Sequence, residues 1–385
     1  MNYEDINNIV RMIPIRKVRD SLRNYMEKLI NDNEILLKDN EFIKLQNNFI
    51  IKELYKATKK YLPEKELNIN DLSEFGQKYN KINESYNEVC IYLGFGAGFF
   101  SEFNNMIRVI LYCLVNKIKF KLYLVNAKGF PNNKGWTEFF IPFCNELMYD
   151  ASIEFSRLFN FSNNDIEVLL PIIKERYNIN YFTYLYGTDI PNKMIRDISF
   201  TNSNFIIKEL GIDGDFFHAF EIIAKNIFRF NDNTKIEIYK LIRNLNLPRK
   251  YIGFHIRSGD KIYEFELIKP ENYIEILKKN SDIKDIFIST DDYNIVRKLK
   301  NKYGNEYNIY TLTNNDELGY NQENFERLLK DDKYNHLIEL FASIEILLNS
   351  QLCFGSYTSN VSIFLRAVLG KDKFVEVNSL DFRIF

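Results

Sequence analysis

Short apolar runs alternate with amphipathic stretches along the last third of the chain. Five apolar runs are predicted to be strands, at 251–256, 285–289, 307–312, 352–354 and 374–377. Between them lie four stretches with the hydrophobic spacing of helices, at 270–279, 293–303, 333–349 and 359–369. Pro270 opens the first of these helices, where its missing N–H is not needed. The alternation predicts a parallel sheet with helices on both faces.

The same alternation occurs once earlier in the chain. The apolar run 89–93 is followed by a glycine-rich loop, 94–98, then by a helical stretch at 101–115 and a second predicted strand at 120–125. This order predicts one β-loop-α-β unit. Residues 151–245 have a mostly helical pattern, but the sequence does not define the order of their elements.

The N-terminal segment differs from both of these regions. Its apolar residues recur at helical spacing among charged ones, as in Leu22, Tyr25, Met26, Leu29 and Ile30. We predict a helical extension and linker over 1–85, an N-terminal α/β domain over 86–245 and a C-terminal Rossmann-like domain over 246–385. The N-terminal helices are a candidate homodimer surface, and a scaffold acting through residues 1–62 is an alternative.

Composition narrows the classes of function. The 385 residues carry 51 basic and 52 acidic side chains, a formal net charge of −1. A general nucleic-acid binder needs an excess of Lys and Arg for phosphate contacts, so this class is excluded. The sequence has no apolar stretch of about 18–20 residues and no signal-peptide pattern, which predicts a cytoplasmic protein without an integral membrane segment. The histidines and cysteines lack the spacing of zinc ligands, so we predict reduced cysteines and no protein-held metal.

Candidate chemistry lies where the predicted strands end, since parallel sheets bind ligands beyond the carboxyl ends of their strands. His255 and Arg257 are two residues apart and leave the same face of the first C-terminal strand. Asp260 and Lys261 follow in the next loop. Arginine can hold a phosphate through two donors at once, so the cluster predicts a phosphate site. The alternative is a surface turn whose charges pair with each other.

A pair of acidic residues, Asp291 and Asp292, follows the next predicted strand. The pair has three interpretations: a helix N-cap, a pair of metal ligands, or a carboxylate that accepts ribose or base hydrogen bonds or orients the basic loop, which is the loop after the predicted strand 251–256. We favour a cap combined with the last of these roles.

Hydroxyl and amide side chains open the last predicted helix. These residues follow Gly355 and are Ser356, Thr358, Ser359 and Asn360. Backbone N–H groups at a helix N-terminus bind phosphate, so the segment is a candidate phosphate seat, although capping alone also explains its composition.

The loop 94–98 lets a ligand approach the backbone closely but lacks the P-loop pattern. Two α/β halves with facing polar loops predict a cleft between them.

Together these motifs resemble those of the fucosyltransferase superfamily, which includes α1,6-, α1,2- and protein O-fucosyltransferases, and most closely its α1,6 group. The segment 255–261 is similar to the donor motif His-x-Arg-Arg-x-Asp-Lys. Segments 289–292 and 356–361 resemble the family's strand with a paired Asp and its Phe-Ser-Ser-Gln/Asn-Val segment. Segments 94–98 and 135–142 resemble its Gly-rich loop and its Gly-Trp-x-x-x-Phe-x-Pro segment.

The resemblance implies a GT-B-like α/β fold, with two Rossmann-like domains facing a cleft. It implies an inverting, metal-independent transfer of L-fucose from GDP-fucose to a glycan or glycoprotein acceptor, without a cofactor. Arg257 would bind the β-phosphate, and His255 would contact the guanine side of the nucleotide. Ser359 and the backbone of 96–98 would hold phosphate. The alternatives are another nucleotide sugar on the same fold and a non-catalytic nucleotide- or glycan-binding homologue.

Two roles implied by the resemblance stay open between neighbouring residues. The catalytic base is Glu264 or Glu266, and the acid that binds guanine is Glu345 or Glu339. The candidate catalytic residues are Arg257, Lys261, Glu264, Glu266 and Asp291. The candidate donor-binding residues are Gly96, Ala97, Gly98, His255, Asp260, Asp292, Glu345, Ser356, Thr358, Ser359 and Asn360.

The sequence also departs from the family pattern at two places. Ser258 stands where the donor motif has a second arginine. After the glycine-rich loop, the usual Cys and His residues are replaced by Phe99, Phe100, Glu102 and Asn104. A donor contact is therefore missing or supplied by another residue, and the acceptor need not be that of the α1,6 group.

Overall fold

The computed structural model describes most of the chain between residues 72 and 378. The described residues are 72–94, 97–124, 127, 129–132, 134–147, 174, 178–183, 190, 195, 204–259 and 268–378. All of them except Lys174 and Asn178 belong to one compact unit that spans 63–154 and 179–385. The predicted helices of residues 1–62 lie outside the described residues.

The N-terminal half contains a parallel sheet of three strands in the order β2-β1-β3. Strand β1 is buried on both faces from its second residue onward, and its sequence is accordingly an unbroken apolar run rather than an alternating one. The strands and helices here are α1 Glu74–Glu84, β1 Glu88–Leu93, α2 Phe99–Asn116, β2 Ile118–Tyr123 and β3 Tyr181–Thr183. The predicted β-loop-α-β unit is confirmed, with its second strand beginning two residues earlier than expected.

A short connecting region leads to the C-terminal half. Strands β4 and β5 form an antiparallel pair, and two amphipathic helices follow them. The bounds are β4 Phe205–Ile207, β5 Ile212–Gly214, α3 Phe216–Ile227 and α4 Asp232–Asn244. Asp215 and Asn231 cap the two helices by accepting hydrogen bonds from backbone N–H groups of the first turn.

The C-terminal half contains a parallel sheet of five strands in the order β10-β9-β6-β7-β8. Ile286 and Ile288 of β7 pack against α5 and α6, whereas Phe287 between them packs with α8 on the opposite face. The elements are β6 Ile252–Ile256, α5 Pro270–Asn280, β7 Asp285–Thr290, α6 Tyr293–Tyr303, β8 Asn308–Tyr310, α7 Gln322–Arg327, α8 Lys330–Leu348, β9 Cys353–Gly355, α9 Asn360–Lys373 and β10 Phe374–Glu376. The predicted α/β class is confirmed, with two parallel sheets as expected of a GT-B-like fold.

One aromatic core joins helices from both halves. The ring centroids of Phe99 and Phe341 are 4.9 Å apart, and those of Phe100 and Phe364 are 4.8 Å apart. Phe228 lies 4.9 Å from Phe364. Such pairs contribute packing energy beyond the area they bury, so they fix α2 against α8 and α9. The division into domains at residue 245 stays a prediction.

Two further predictions concern thiols and membranes. All four cysteines are unpaired and buried: Cys90, Cys113, Cys144 and Cys353. Burial raises the pKa of the Cys353 thiol, so it is held in its protonated form. Within the described ranges, no helix is both long enough and apolar enough to cross a membrane.

Candidate functional site

A cleft of about 410 Å³ lies at the carboxyl ends of β6 and β7 and faces the start of α2. Its C-terminal wall includes His255, Arg257, Ser289, Thr290, Asp291, Ser359, Asn360 and Val361. The described residues of its N-terminal wall are 97–101 and Gly129. The remaining lining residues come from the segment 312–325 and from α8. The position agrees with the rule that parallel sheets place ligands beyond their carboxyl ends.

Asp291 organises the phosphate-binding candidate Arg257. Its carboxylate accepts hydrogen bonds from Nη1 of Arg257, from the backbone N of Ser258 at 2.8 Å and from the backbone N of Tyr320 at 2.9 Å. The side chains of Arg257 and Asp291 are each 16% exposed, so solvent screens this ion pair less than a surface pair. These contacts are those expected of a carboxylate that orients the basic loop.

Asp292 has a different role from its neighbour. Its Oδ1 accepts a hydrogen bond from the backbone N of Asn294 at 2.9 Å, at the start of α6. The predicted N-cap is therefore confirmed. Asp292 is not among the residues that line the cleft.

Tyr320 covers the guanidinium of Arg257, and sequence reasoning did not identify it. The centroid of its ring lies 5.1 Å from Cζ of Arg257. Gly259 has a φ of +58°, and a Cβ on this residue would lie 2.4 Å from the carbonyl oxygen of Tyr320. The basic loop and the loop before α7 therefore meet backbone to backbone, which only glycine permits at this position.

His255 lies in the wall of the cleft as a neutral side chain. Its Nε2 is 2.9 Å from Oγ of Ser359, and its buried Nδ1 has no hydrogen-bond partner among the described residues. Burial, with the charge of Arg257 as a smaller cause, lowers the pKa of His255 to about 3. A neutral imidazole can donate or accept through Nε2, so the direction of its hydrogen bond with Ser359 depends on the tautomer.

Two helix N-termini border the cleft. Helix α2 follows Gly98 and helix α9 follows Ser359, and neither N-cap residue makes a side-chain capping hydrogen bond. In α9, Oγ of Ser359 contacts His255 instead. Free N–H groups and the positive ends of the helix dipoles therefore face this cleft, which favours an anion.

Ser356 and Thr358 do not reach the cleft, contrary to the prediction from sequence. Their hydroxyl oxygens are 2.9 Å apart, and the backbone N of Thr358 donates to Oγ of Ser356 at 3.3 Å. These side chains satisfy the turn between β9 and α9, and neither lines the cleft. Ala97, Gly98, Ser359 and Asn360 do line it, as predicted.

Two carboxyl groups, those of Glu317 and Glu339, line the cleft near His336. Burial raises the pKa of both carboxyl groups, and for Glu317 the nearby Glu339 raises it further. Glu345 does not line the cleft, and it accepts a hydrogen bond from Nδ2 of Asn349 at 3.1 Å. Of the two predicted guanine-binding acids, the structure therefore brings Glu339 to the cleft and leaves Glu345 outside it.

Five predicted site residues fall outside the described residues: Gly96, Asp260, Lys261, Glu264 and Glu266. Within the described part of the chain, no group of three or more His, Cys, Asp or Glu side chains is arranged to hold a metal ion. Sequence reasoning missed Glu317, Tyr320 and His336. The available signal was their position, since the first two follow β8 at the same edge of the sheet.

Among the solved structures to which this chain is similar are those of three proteins. The fucosyltransferase NodZ from Bradyrhizobium is 10% identical, with 73% of this chain and 93% of that chain covered and a TM-score of 0.44. A mutant of FUT1 from Arabidopsis thaliana in complex with GDP is 10% identical, with coverage of 81% and 76% and a TM-score of 0.43. POFUT1 in complex with GDP is 9% identical, with coverage of 76% and 98% and a TM-score of 0.41.

Sequence comparison gives the family. No curated protein sequence matches the chain. The family model described as the N-terminal and catalytic domains of α-(1,6)-fucosyltransferase matches residues 102–326, which is more than half of the chain. The chain therefore belongs to the α-(1,6)-fucosyltransferase family of glycosyltransferase enzymes.

Proposed function

We propose that the chain transfers L-fucose from GDP-fucose to a glycan or a protein-linked sugar, with inversion and without an obligatory metal. The observation that carries this proposal is the position of Arg257 in a cleft that two helix N-termini also border. Sugar transfer from a nucleotide donor leaves a diphosphate, and its developing charge must be stabilised. A fixed guanidinium and backbone N–H groups supply that stabilisation in place of a metal.

In this proposal, Arg257 and the start of α9 bind the diphosphate. The ion pair with Asp291 fixes the guanidinium before the donor arrives, so less ordering is needed at the moment of reaction. His255 contacts Ser359 through Nε2 at the helix start, which supports a role in holding that helix start at the phosphate end of the donor. The family resemblance suggested the guanine side for this residue, and the contact with Ser359 favours the phosphate side.

The guanine base is proposed to lie near Glu339. A carboxylate accepts the N1–H and exocyclic N–H₂ donors that distinguish guanine from the other bases. Glu317 would offer a second carboxylate for the nucleoside. The position of Tyr320 supports a donor that runs from the diphosphate at Arg257 to the guanine at Glu339. The centroid of its ring lies 5.1 Å from Cζ of Arg257 and 6.0 Å from the ring centroid of His336, which is one turn before Glu339.

The acceptor hydroxyl requires a base, for which Glu264 and Glu266 stay the candidates. Such a base must come within about 2.6–3.2 Å of the hydroxyl proton's oxygen. Lys261 and Asp260 lie close to these residues in the sequence and are proposed to assist at the donor. A single in-line attack then inverts the anomeric carbon. The homodimer through the N-terminal helices also stays a prediction.

A donor panel tests this proposal. Purified full-length protein is incubated with GDP-fucose, GDP-mannose, UDP-sugars or TDP-sugars, and binding is followed by thermal shift. We expect GDP-fucose and GDP to raise the melting temperature selectively. Mass spectrometry of a glycan and glycopeptide acceptor set then detects fucose transfer, with and without EDTA. Binding without any product would favour a non-catalytic homologue, and loss of transfer in EDTA would refute metal independence.

A further inference from the structure

Tyr320 lines the cleft and is held in place by several contacts. Its backbone N donates to Asp291 at 2.9 Å, and the backbone N of the preceding Gly319 donates to the carbonyl oxygen of Asp291 at 2.7 Å. Its ring centroid lies 5.9 Å from that of Phe325 and 6.0 Å from that of His336. The ring therefore has a defined place, with Arg257 against it.

The ring and the carboxylate hold Arg257 in different ways. A guanidinium carries its five N–H donors in one plane, and Asp291 uses that edge. An aromatic ring attracts a cation that lies over the face of the ring, through the quadrupole of the ring. The contact with the ring of Tyr320 therefore helps to orient Arg257 without offering a carboxylate that competes with an incoming phosphate.

We propose that Tyr320 is a positioning residue that holds the guanidinium of Arg257 in the orientation that binds the donor diphosphate. The inference rests on the proposed function, since it requires a diphosphate at Arg257. It assigns a role to a segment, 317–320, that the motifs of the sequence do not include.

The close contact between two glycines couples this segment to the basic loop. Gly319 has a φ of +108°, and a Cβ added to it would lie 2.9 Å from Cα of Gly259. A side chain at either position would push the two loops apart. Because Tyr320 follows Gly319 directly, the position of its ring depends on this contact, and so does the orientation of Arg257.

The experiment is a double-mutant cycle on ligand binding by the full chain. GDP and guanosine are titrated calorimetrically into wild type, Tyr320→Ala, Arg257→Ala and the double variant. We expect Tyr320→Ala to weaken GDP binding about tenfold, as the loss of a desolvated cation–π contact predicts. Guanosine, which lacks the diphosphate, should be affected by less than about twofold, and Tyr320→Ala should add less than about twofold in the Arg257→Ala background.

Controls separate positioning from folding. Tyr320→Phe keeps the ring and should restore GDP binding, whereas Tyr293→Ala removes a similar tyrosine from Arg297, at 5.6 Å, outside the cleft and should change neither affinity. If Tyr320→Ala does not fold, as judged by circular dichroism, Tyr320→Leu takes its place in the cycle.

The outcomes distinguish the two proposals. Two results would overturn the role of Tyr320 while leaving the donor assignment intact. In the first, Tyr320→Ala weakens the binding of GDP and of guanosine equally. In the second, Tyr320→Ala weakens GDP binding as much in the Arg257→Ala background as in wild type. Failure of the wild-type protein to bind GDP would overturn the proposed function, and the inference with it.

Discussion

The two walls of the cleft recognise a ligand by different means. The C-terminal wall presents side chains that are already paired, with Arg257 bonded to Asp291 and His255 in contact with Ser359. The described residues of the N-terminal wall are Ala97, Gly98, Phe99, Phe100, Ser101 and Gly129, and none of these is charged. That wall offers backbone N–H groups at the start of α2 and an apolar surface.

This difference predicts separate roles for the two halves of the molecule in binding and catalysis. Specific charge comes from one sheet edge, where it is positioned before the ligand binds, and that lowers the reorganisation needed for reaction. The opposite half supplies a dipole and packing through its aromatic contacts with Phe341 and Phe364. Changes to the charged wall should therefore alter chemistry first, whereas changes to the uncharged wall should alter stability first.

The largest expected effect is that of Arg257→Ala. Removal of the fixed cation leaves the departing diphosphate without its principal charge, so we expect fucose transfer to fall by a factor on the order of 100 to 1,000. The measurement is kcat/KM with GDP-fucose. Arg297→Ala is the matched control, since Arg297 also lies over a tyrosine ring, at 5.6 Å from Tyr293, but outside the cleft. Near-wild-type turnover of Arg257→Ala would break the division between the walls.

The sequence predicted the charged wall well because strand geometry determines it. His255 and Arg257 are separated by the two-residue repeat of a strand, so their side chains had to share a face wherever the sheet formed. The N-cap role of Asp292 followed from its position before an amphipathic helix. Local rules were sufficient in these cases.

The sequence could not choose between Glu339 and Glu345 because α8 is apolar around most of its circumference. Buried residues such as Leu337, Phe341 and Ile344 leave no single polar face from which to read its orientation. The two acids are six residues apart, so at about 100° per residue they differ by roughly 240°, and tertiary packing decides which one faces the cleft.

The position of Tyr320 in the cleft could not be predicted from the sequence either. Its place depends on the positive φ of Gly319 and on the approach of Gly259, which is about 60 residues away in the chain. Ser356 and Thr358 were assigned to phosphate by composition, whereas the turn before α9 uses their hydroxyl groups itself. Long-range contacts and competing local hydrogen bonds account for these differences.

The dependence of the unfolding free energy on pH tests the contribution of His255, which belongs to the charged wall. The pKa of its imidazole falls from 6.5 in the unfolded chain to about 3 in the fold. Between these two pH values the imidazole is protonated in the unfolded chain and neutral in the folded chain. The stability that this residue contributes is complete above pH 6.5 and is lost as pH falls towards 3. We expect up to about 1.4 kcal/mol lost per pH unit within that window.

Urea midpoints measured between pH 4 and 7.5 provide the test of this slope. Burial also lowers the pKa of His336, so this residue changes the unfolding free energy with pH in the same direction. The variant His255→Gln therefore isolates the contribution of His255 to the pH dependence. The unfolding free energy of this variant should depend less on pH than that of wild type. Parallel curves would show that protonation of His255 is not linked to folding.

The smallest expected effect comes from Asn104 in α2, the helix that begins in the uncharged wall. Its Nδ2 donates to the carbonyl oxygen of Asn360 at 2.8 Å, which ties α2 to the first residue of α9. Asn104→Ala should lower the free energy of unfolding by about 1–3 kcal/mol, because it removes a partly buried hydrogen bond. Asn116→Ala, which removes an exposed bond to Tyr112 in the same helix, should cost less than about 0.5 kcal/mol. A large fall in kcat with unchanged stability in Asn104→Ala would mean that this wall also takes part in the chemistry.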